Sequence, residues 1–144
     1  MASVPGCDEE EHLWSIAAAR LIFGDSVHIQ APPNLSSNVL NLIDAGVDDL
    51  GGISPVTIDY VNPEKPWPLL ENLSNQIIIK NKYLKARAAI YPEFIDKLGF
   101  VDVNIMPAIK QHVGNDRYLK VSPLKTDEEA VQTKRSSSNL PIKA

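Results

Sequence analysis

Apolar positions recur at helical spacing near the start of the chain: Leu13, Ile16, Ala17 and Leu21 fall on one face, with Trp14, Ala18 and Ile22 beside them. Asp8 precedes Glu11 by the three residues of a capping box, and the acids from Asp8 to Glu11 suit the positive end of a helix dipole. Gly24 offers a left-handed stop. A helix apolar over so much of its circumference is expected to lie against a sheet, with Trp14 as a packing residue.

The pattern then changes period. Val27 to Ala31 places β-branched residues at alternate positions and ends at Pro32-Pro33, which cannot continue a ladder, so it predicts a strand. Asn34 or Ser36 is positioned to cap a second helix carrying Leu35, Val39, Leu42 and Ile43 and stopped at Gly46. Val47 to Leu50 forms a short segment that runs into Gly51-Gly52. The stretch from there to Pro68, with Pro55, Pro63 and Pro66, reads as a loop over one end of the sheet. Leu69, Leu70, Leu73 and Ile77 predict a third helix from Pro68 to about Lys82, and Leu84 to Tyr91 a strand ended by Pro92. Residues 92–98 and 106–113 are expected as short helices. The polar residues 123–144 are expected to be disordered, as are residues 1–7 as a flexible N-terminus, which leaves 8–122 as the folded body.

Helix and strand in alternation predict a parallel α/β architecture, whose right-handed crossovers bring every strand's C-terminal end to one rim. Ligands bind at that rim in barrels and in doubly wound sheets alike. It would receive Gln30, Pro33 and Asn34 from the first strand-to-helix loop, Asp48, Asp49, Gly51, Gly52, Ser54 and Thr57 from the second, and Tyr91 and Glu93 from the third. These groups include no matched nucleophile and base, so they suit holding a polar ligand better than attacking one. Asp48 and Asp49 are adjacent and point to opposite faces of a strand, which argues against a carboxylate pair. Gly51-Gly52 reads either as a tight turn or as a place where backbone approaches a ligand closely.

Composition narrows the classes. Among 144 residues, 44% are apolar and 22% charged, ordinary values for one globular domain, and a net charge of −4 gives no basic field for nucleic acid. No apolar run reaches the roughly 18 residues of a membrane span, and a cytoplasmic chain is expected. Cys7 is the single cysteine, and His12, His28 and His112 have no metal-ligand spacing, so no metal site is expected from these residues. No catalytic residue can be assigned from the pattern.

The run Ile29-Gln30-Ala31-Pro32-Pro33-Asn34-Leu35, then Ala45-Gly46-Val47-Asp48-Asp49 with Gly51-Gly52-Ile53-Ser54-Pro55-Val56-Thr57, then Asp59, Val61-Asn62-Pro63-Glu64 and Pro66-Trp67-Pro68, resembles the C-terminal part of the 7,8-didemethyl-8-hydroxy-5-deazariboflavin (FO) synthases, radical-SAM enzymes. Ala89-Ile90-Tyr91-Pro92-Glu93-Phe94 continues the likeness, which spans residues 8–98. The resemblance implies a partial (β/α) TIM-type barrel of about three strand-helix units. It further implies deazaflavin synthesis from tyrosine and a ribityl-aminopyrimidine, of the carbon-nitrogen lyase type, using S-adenosylmethionine and a 4Fe-4S cluster. The partners it implies are the missing N-terminal half of the barrel and a second radical-SAM subunit. Gln30, Pro33, Asn34, Asp49, Gly51, Gly52, Ser54 and Thr57 are the expected cofactor- or substrate-binding residues. The family's CxxxCxxC cluster signature does not occur in this chain, so inactivity alone is expected. The alternative is a non-catalytic ligand-binding or interaction remnant of the same barrel.

Overall fold

The computed structural model describes residues 6–54 and 56–120; residues 123–144 and the first five residues, expected to be disordered or flexible, lie outside that range. Helix α1 spans Glu9–Phe23. Asp8 caps it as the sequence predicts, its carboxylate accepting from the Glu11 N–H at 2.8 Å, and the Gly24 N–H closes the other end on Arg20 O. Ile16 is its one buried residue, while Trp14 is 72% exposed. The expectation that Trp14 packs inward is therefore corrected: this helix covers another helix with one face and leaves the opposite apolar face in solvent.

Helix α2 spans Val39–Ala45 and is capped by Asn38, whose side chain accepts from the Leu40 N–H, rather than by Asn34 or Ser36. The cap moves because Pro33–Leu35 first closes a separate 3₁₀ turn, leaving Ser36 extended. Gly46 stops α2 at φ 115°, and a Cβ there would lie 2.7 Å from both Cβ and Cγ of Arg20. Helix α3 spans Leu70–Ile77 and extends through a 3₁₀ turn to Lys80, short of the predicted end near Lys82. Packing runs from α1 to α2 and from α2 to α3. Ile16, Val39, Leu42, Leu73 and Ile77 are buried with Ala31, Val47 and Leu50, and Leu42 is sealed completely.

The chain divides after Tyr83 into two compact units, a division that the sequence pattern did not announce. In the second unit, a 3₁₀ turn over Pro92–Phe94 and helix α4, Met106–His112, stand where short helices are predicted. Ile95 and Val113 are buried there, and the rings of Phe94 and Phe100 stack at 4.6 Å.

The predicted strands are not built as ladders. Over residues 27–31 the only pairing described is an isolated parallel bridge of Gln30 with Asp49. Residues 84–91 form no strand and bend at Ala89-Ile90, and Ala86 O accepts from the Leu119 N–H at 2.9 Å. Val113 and Leu119 form an isolated antiparallel bridge. A parallel strand is held by neighbours along its length, and among the described residues the backbone of residues 27–31 pairs with the short segment at Asp48-Asp49 alone.

Candidate functional site

The Gln30 and Asp49 segments meet side by side. The Ala31 N–H donates to Asp49 O at 3.0 Å, and the amides of Asp48 and Asp49 approach Ile29 O at 3.2 and 3.3 Å. Asp49 then turns the chain, its carboxylate accepting from the Gly51 N–H at 2.7 Å. Gly51 takes φ 74°, and a Cβ on it would lie 2.6 Å from the side-chain Nε2 of Gln30. Gln30, Asp49 and Gly51 thus form one cluster. Gly52 does not share its constraint, because a Cβ there meets nothing within 4 Å.

Pro33 and Asn34 belong to a neighbouring junction. Asn34 is buried, and its Nδ2 donates to Asp59 Oδ2 and to Lys65 O, both at 3.0 Å. Its Oδ1 is buried without a hydrogen-bond partner. Both acceptors face the nitrogen, so exchanging the amide's two ends would set oxygen against oxygen and is disfavoured. Asp59 also accepts from Asn62 Nδ2 at 3.2 Å and from the Val61 and Asn62 N–H groups at 2.9 and 3.2 Å. The Asn62 side chain first, then the Val61 amide, hold the Asp59 carboxyl below its ordinary value. Ser54 and Thr57 form a turn of their own, with Thr57 Oγ1 donating to Ser54 Oγ at 2.7 Å and the Thr57 N–H at 3.0 Å.

A third cluster was not singled out by sequence reasoning. Arg20 Nε and Nη2 donate to Gly46 O at 2.9 and 2.7 Å, Nη1 donates to Val27 O at 3.0 Å, and Nη2 lies 3.2 Å from Asp48 Oδ1. The other Asp48 oxygen lies 2.6 Å from His28 Nδ1, and Oδ1 accepts from the Ile29 N–H at 2.7 Å. Asp48 therefore faces α1 while Asp49 faces Gly51, the opposed orientation expected of adjacent strand residues. The available signal was Arg20, the one basic residue in the last turn of α1 and set among apolar neighbours from Ile16 to Phe23.

Chemically, these clusters position and hydrogen-bond. Among the described residues no group of three or more His, Cys, Asp or Glu side chains could hold a metal, and Cys7 is exposed. Among them, too, no helix is long and apolar enough to cross a membrane.

Over 112 residues the chain is 40% identical to the FO synthase of Streptomyces avermitilis, an alignment that takes in 76% of this chain and 13% of that protein. Over 121 residues it is 40% identical to the 7,8-didemethyl-8-hydroxy-5-deazariboflavin synthase of Archaeoglobus fulgidus, taking in 83% of this chain and 36% of that one. The corresponding synthase of Methanoculleus marisnigri is 49% identical over 96 residues, 67% of this chain and 28% of its own length. The chain belongs to the FO synthase family. It spans a limited stretch, between 13% and 36%, of these three FO synthases. No family model matches it, and no solved structure does.

Proposed function

We propose that this chain supplies one portion of an FO synthase, acting in the cytoplasm in deazaflavin biosynthesis from tyrosine and a ribityl-aminopyrimidine. The observation that carries the reading is 40–49% identity to proteins of that name. The portion is read as part of a (β/α) barrel, in which the Gln30–Asp49 bridge marks two neighbouring strands and their C-terminal ends form the binding rim. Gln30, Asp49 and Gly51 would meet a ligand together. Asn34 would hold the adjoining loop to Asp59, and Pro33, Gly52, Ser54 and Thr57 would shape its border.

The 4Fe-4S cluster does not fit this chain, which has one cysteine in its whole sequence and no metal-holding group among the described residues. Its ligands, and with them the remaining barrel and a second radical-SAM subunit, are assigned to other polypeptide. S-Adenosylmethionine fits better, since the exposed Gln30 side chain and the backbone beside Gly51 offer the donors and acceptors that an adenosyl group requires. When bound, that cofactor supplies the radical chemistry of a carbon-nitrogen lyase reaction; this chain's residues bind and orient it. On this reading the chain is inactive alone.

The test is co-production with the Archaeoglobus relative from which the matching stretch has been deleted, with deazaflavin fluorescence as the readout. Fluorescence that depends on this chain supports the reading. Its absence, where the intact relative produces it, sinks the reading. The single cysteine favours one second reading, a non-catalytic binding remnant, which predicts calorimetric binding of S-adenosylmethionine with no product in any combination.

A further inference from the structure

Helix α1 is apolar on two opposed faces, and the structure covers only one. At 100° per residue, Ile16 and Arg20 point to the side that meets α2 and the Gly46 turn, whereas Trp14, Ala18, Leu21 and Ile22 lie within about a quarter-turn of one another on the other side. There Trp14 is 72%, Leu21 86% and Ile22 75% exposed. At one edge, Trp14 joins an open groove of about 610 Å³ between α1 and α2, whose apolar lining includes Leu13 and Ala17. A contiguous apolar ridge of this kind, on a helix whose first turn is acidic, marks an interaction surface, because exposed apolar area bordered by polar residues is normally covered by a partner.

We propose that this ridge docks the part of the FO synthase fold that lies outside this chain, as a tightly packed, largely apolar interface. The occupant follows from length: the related synthases carry the matched stretch within chains of which it is only 13–36%, so each holds further polypeptide able to cover the face that is bare here. The proposal rests on the family reading and deepens it by naming the surface. It does not depend on FO being made.

Leu21→Glu/Ile22→Glu is the probe, since both side chains are in solvent and the change leaves the buried face of α1 intact. This chain alone should be monomeric by light scattering, and the double variant should keep its melting temperature within about 2 °C. Co-produced with the Archaeoglobus relative lacking the matched stretch, the unaltered chain should co-purify in a one-to-one complex. The double variant should lose at least tenfold of that complex, and Lys97→Glu should retain it. A complex indifferent to the double change, no complex with a soluble truncated relative, or a dimer of this chain abolished by the same change would each overturn the proposal. Should the truncated relative prove insoluble, the full-length relative decides: glutamates at the two positions aligned with Leu21 and Ile22 should lower its melting temperature by 5 °C or more, and an unchanged value overturns the docking surface. A complex that forms but yields no deazaflavin sinks the functional reading while leaving the surface standing.

Discussion

The side-chain amide of Gln30 lies over the bare Cα of Gly51, so close that a Cβ there would come within 2.6 Å of Nε2. Two constraints meet at this glycine. The steric one falls on the far end of a flexible side chain and is relieved if Gln30 swings away; the φ of 74° stays whatever Gln30 does. Gly51→Ala should therefore cost about 1–2 kcal/mol from backbone strain. It should also push the Gln30 side-chain amide off Gly51 while leaving the backbone bridge to Asp49 in place. In a urea-melt cycle, Gln30→Ala should remove the displacement but not the strain, so Gly51→Ala should remain destabilising in the Gln30→Ala background. A neutral Gly51→Ala there would refute the argument.

Asn34 is the tie between the first loop and the segment from Asp59 to Lys65. Asn34→Ala removes one bond to a carboxylate and one to a carbonyl, but also removes an oxygen that is buried without a partner. The expected loss is about 2 kcal/mol, with the orphaned oxygen setting a limit on it. Asn34→Asp should be worse at neutral pH, because it places a second carboxylate where Nδ2 now lies 3.0 Å from Asp59 Oδ2. Its penalty should shrink as acid protonates the pair, which chemical melts at neutral pH and at about pH 4 would reveal.

The helices were legible because their signals are local. Asp8 and Gly24 bracket α1, and Gly46 ends α2, through caps that act within one turn. The strands were less so. Val27 to Ala31 carries the right alternation, yet pairing needs neighbours remote in sequence, and only Asp49 is seen to bridge it. Within the proposed site, Gln30, Asp49 and Gly51 do come together, while Asn34 is drawn off to Asp59 and Ser54 to Thr57. Asp59 was legible only as part of a family pattern, since its role depends on a buried amide 25 residues away. Arg20 was hidden because its partners, Gly46, Val27 and Asp48, lie outside α1 and no pattern local to the helix points to them.

Acid should loosen the first unit. Asp59 is held low chiefly by the Asn62 side chain, and Glu9 chiefly by the Ser37 hydroxyl and then that of Ser36. Groups with lowered folded values add stability that is present above their unfolded values, near pH 4, and is lost as pH falls through the lower folded ones. Melting temperature should be nearly flat from neutrality to about pH 5 and fall below about pH 4. Asp59→Asn should be less stable than the parent at neutral pH, and the gap should narrow as the pH falls below about 4. A gap that stays constant down the acid limb would show that Asp59 does not act through its charge.

Arg20 fastens α1 to the segments on either side of the Gln30–Asp49 bridge. Its guanidinium reaches Gly46 O through two nitrogens, Val27 O through a third, and Asp48 from the same fork. An ammonium group is a compact donor on a flexible stem and cannot occupy those separated positions together. Arg20→Lys should cost about 2 kcal/mol, and Arg20→Met, which keeps the stem alone, only modestly more. The loss should be local as well as global: amide exchange at Ile29 and Ala31 should quicken more than at Leu73 in α3, because the Val27 and Asp48 contacts hold the bridge in place. If Lys restores parental stability and exchange, a single positive charge suffices at this position and the planar fork is unnecessary.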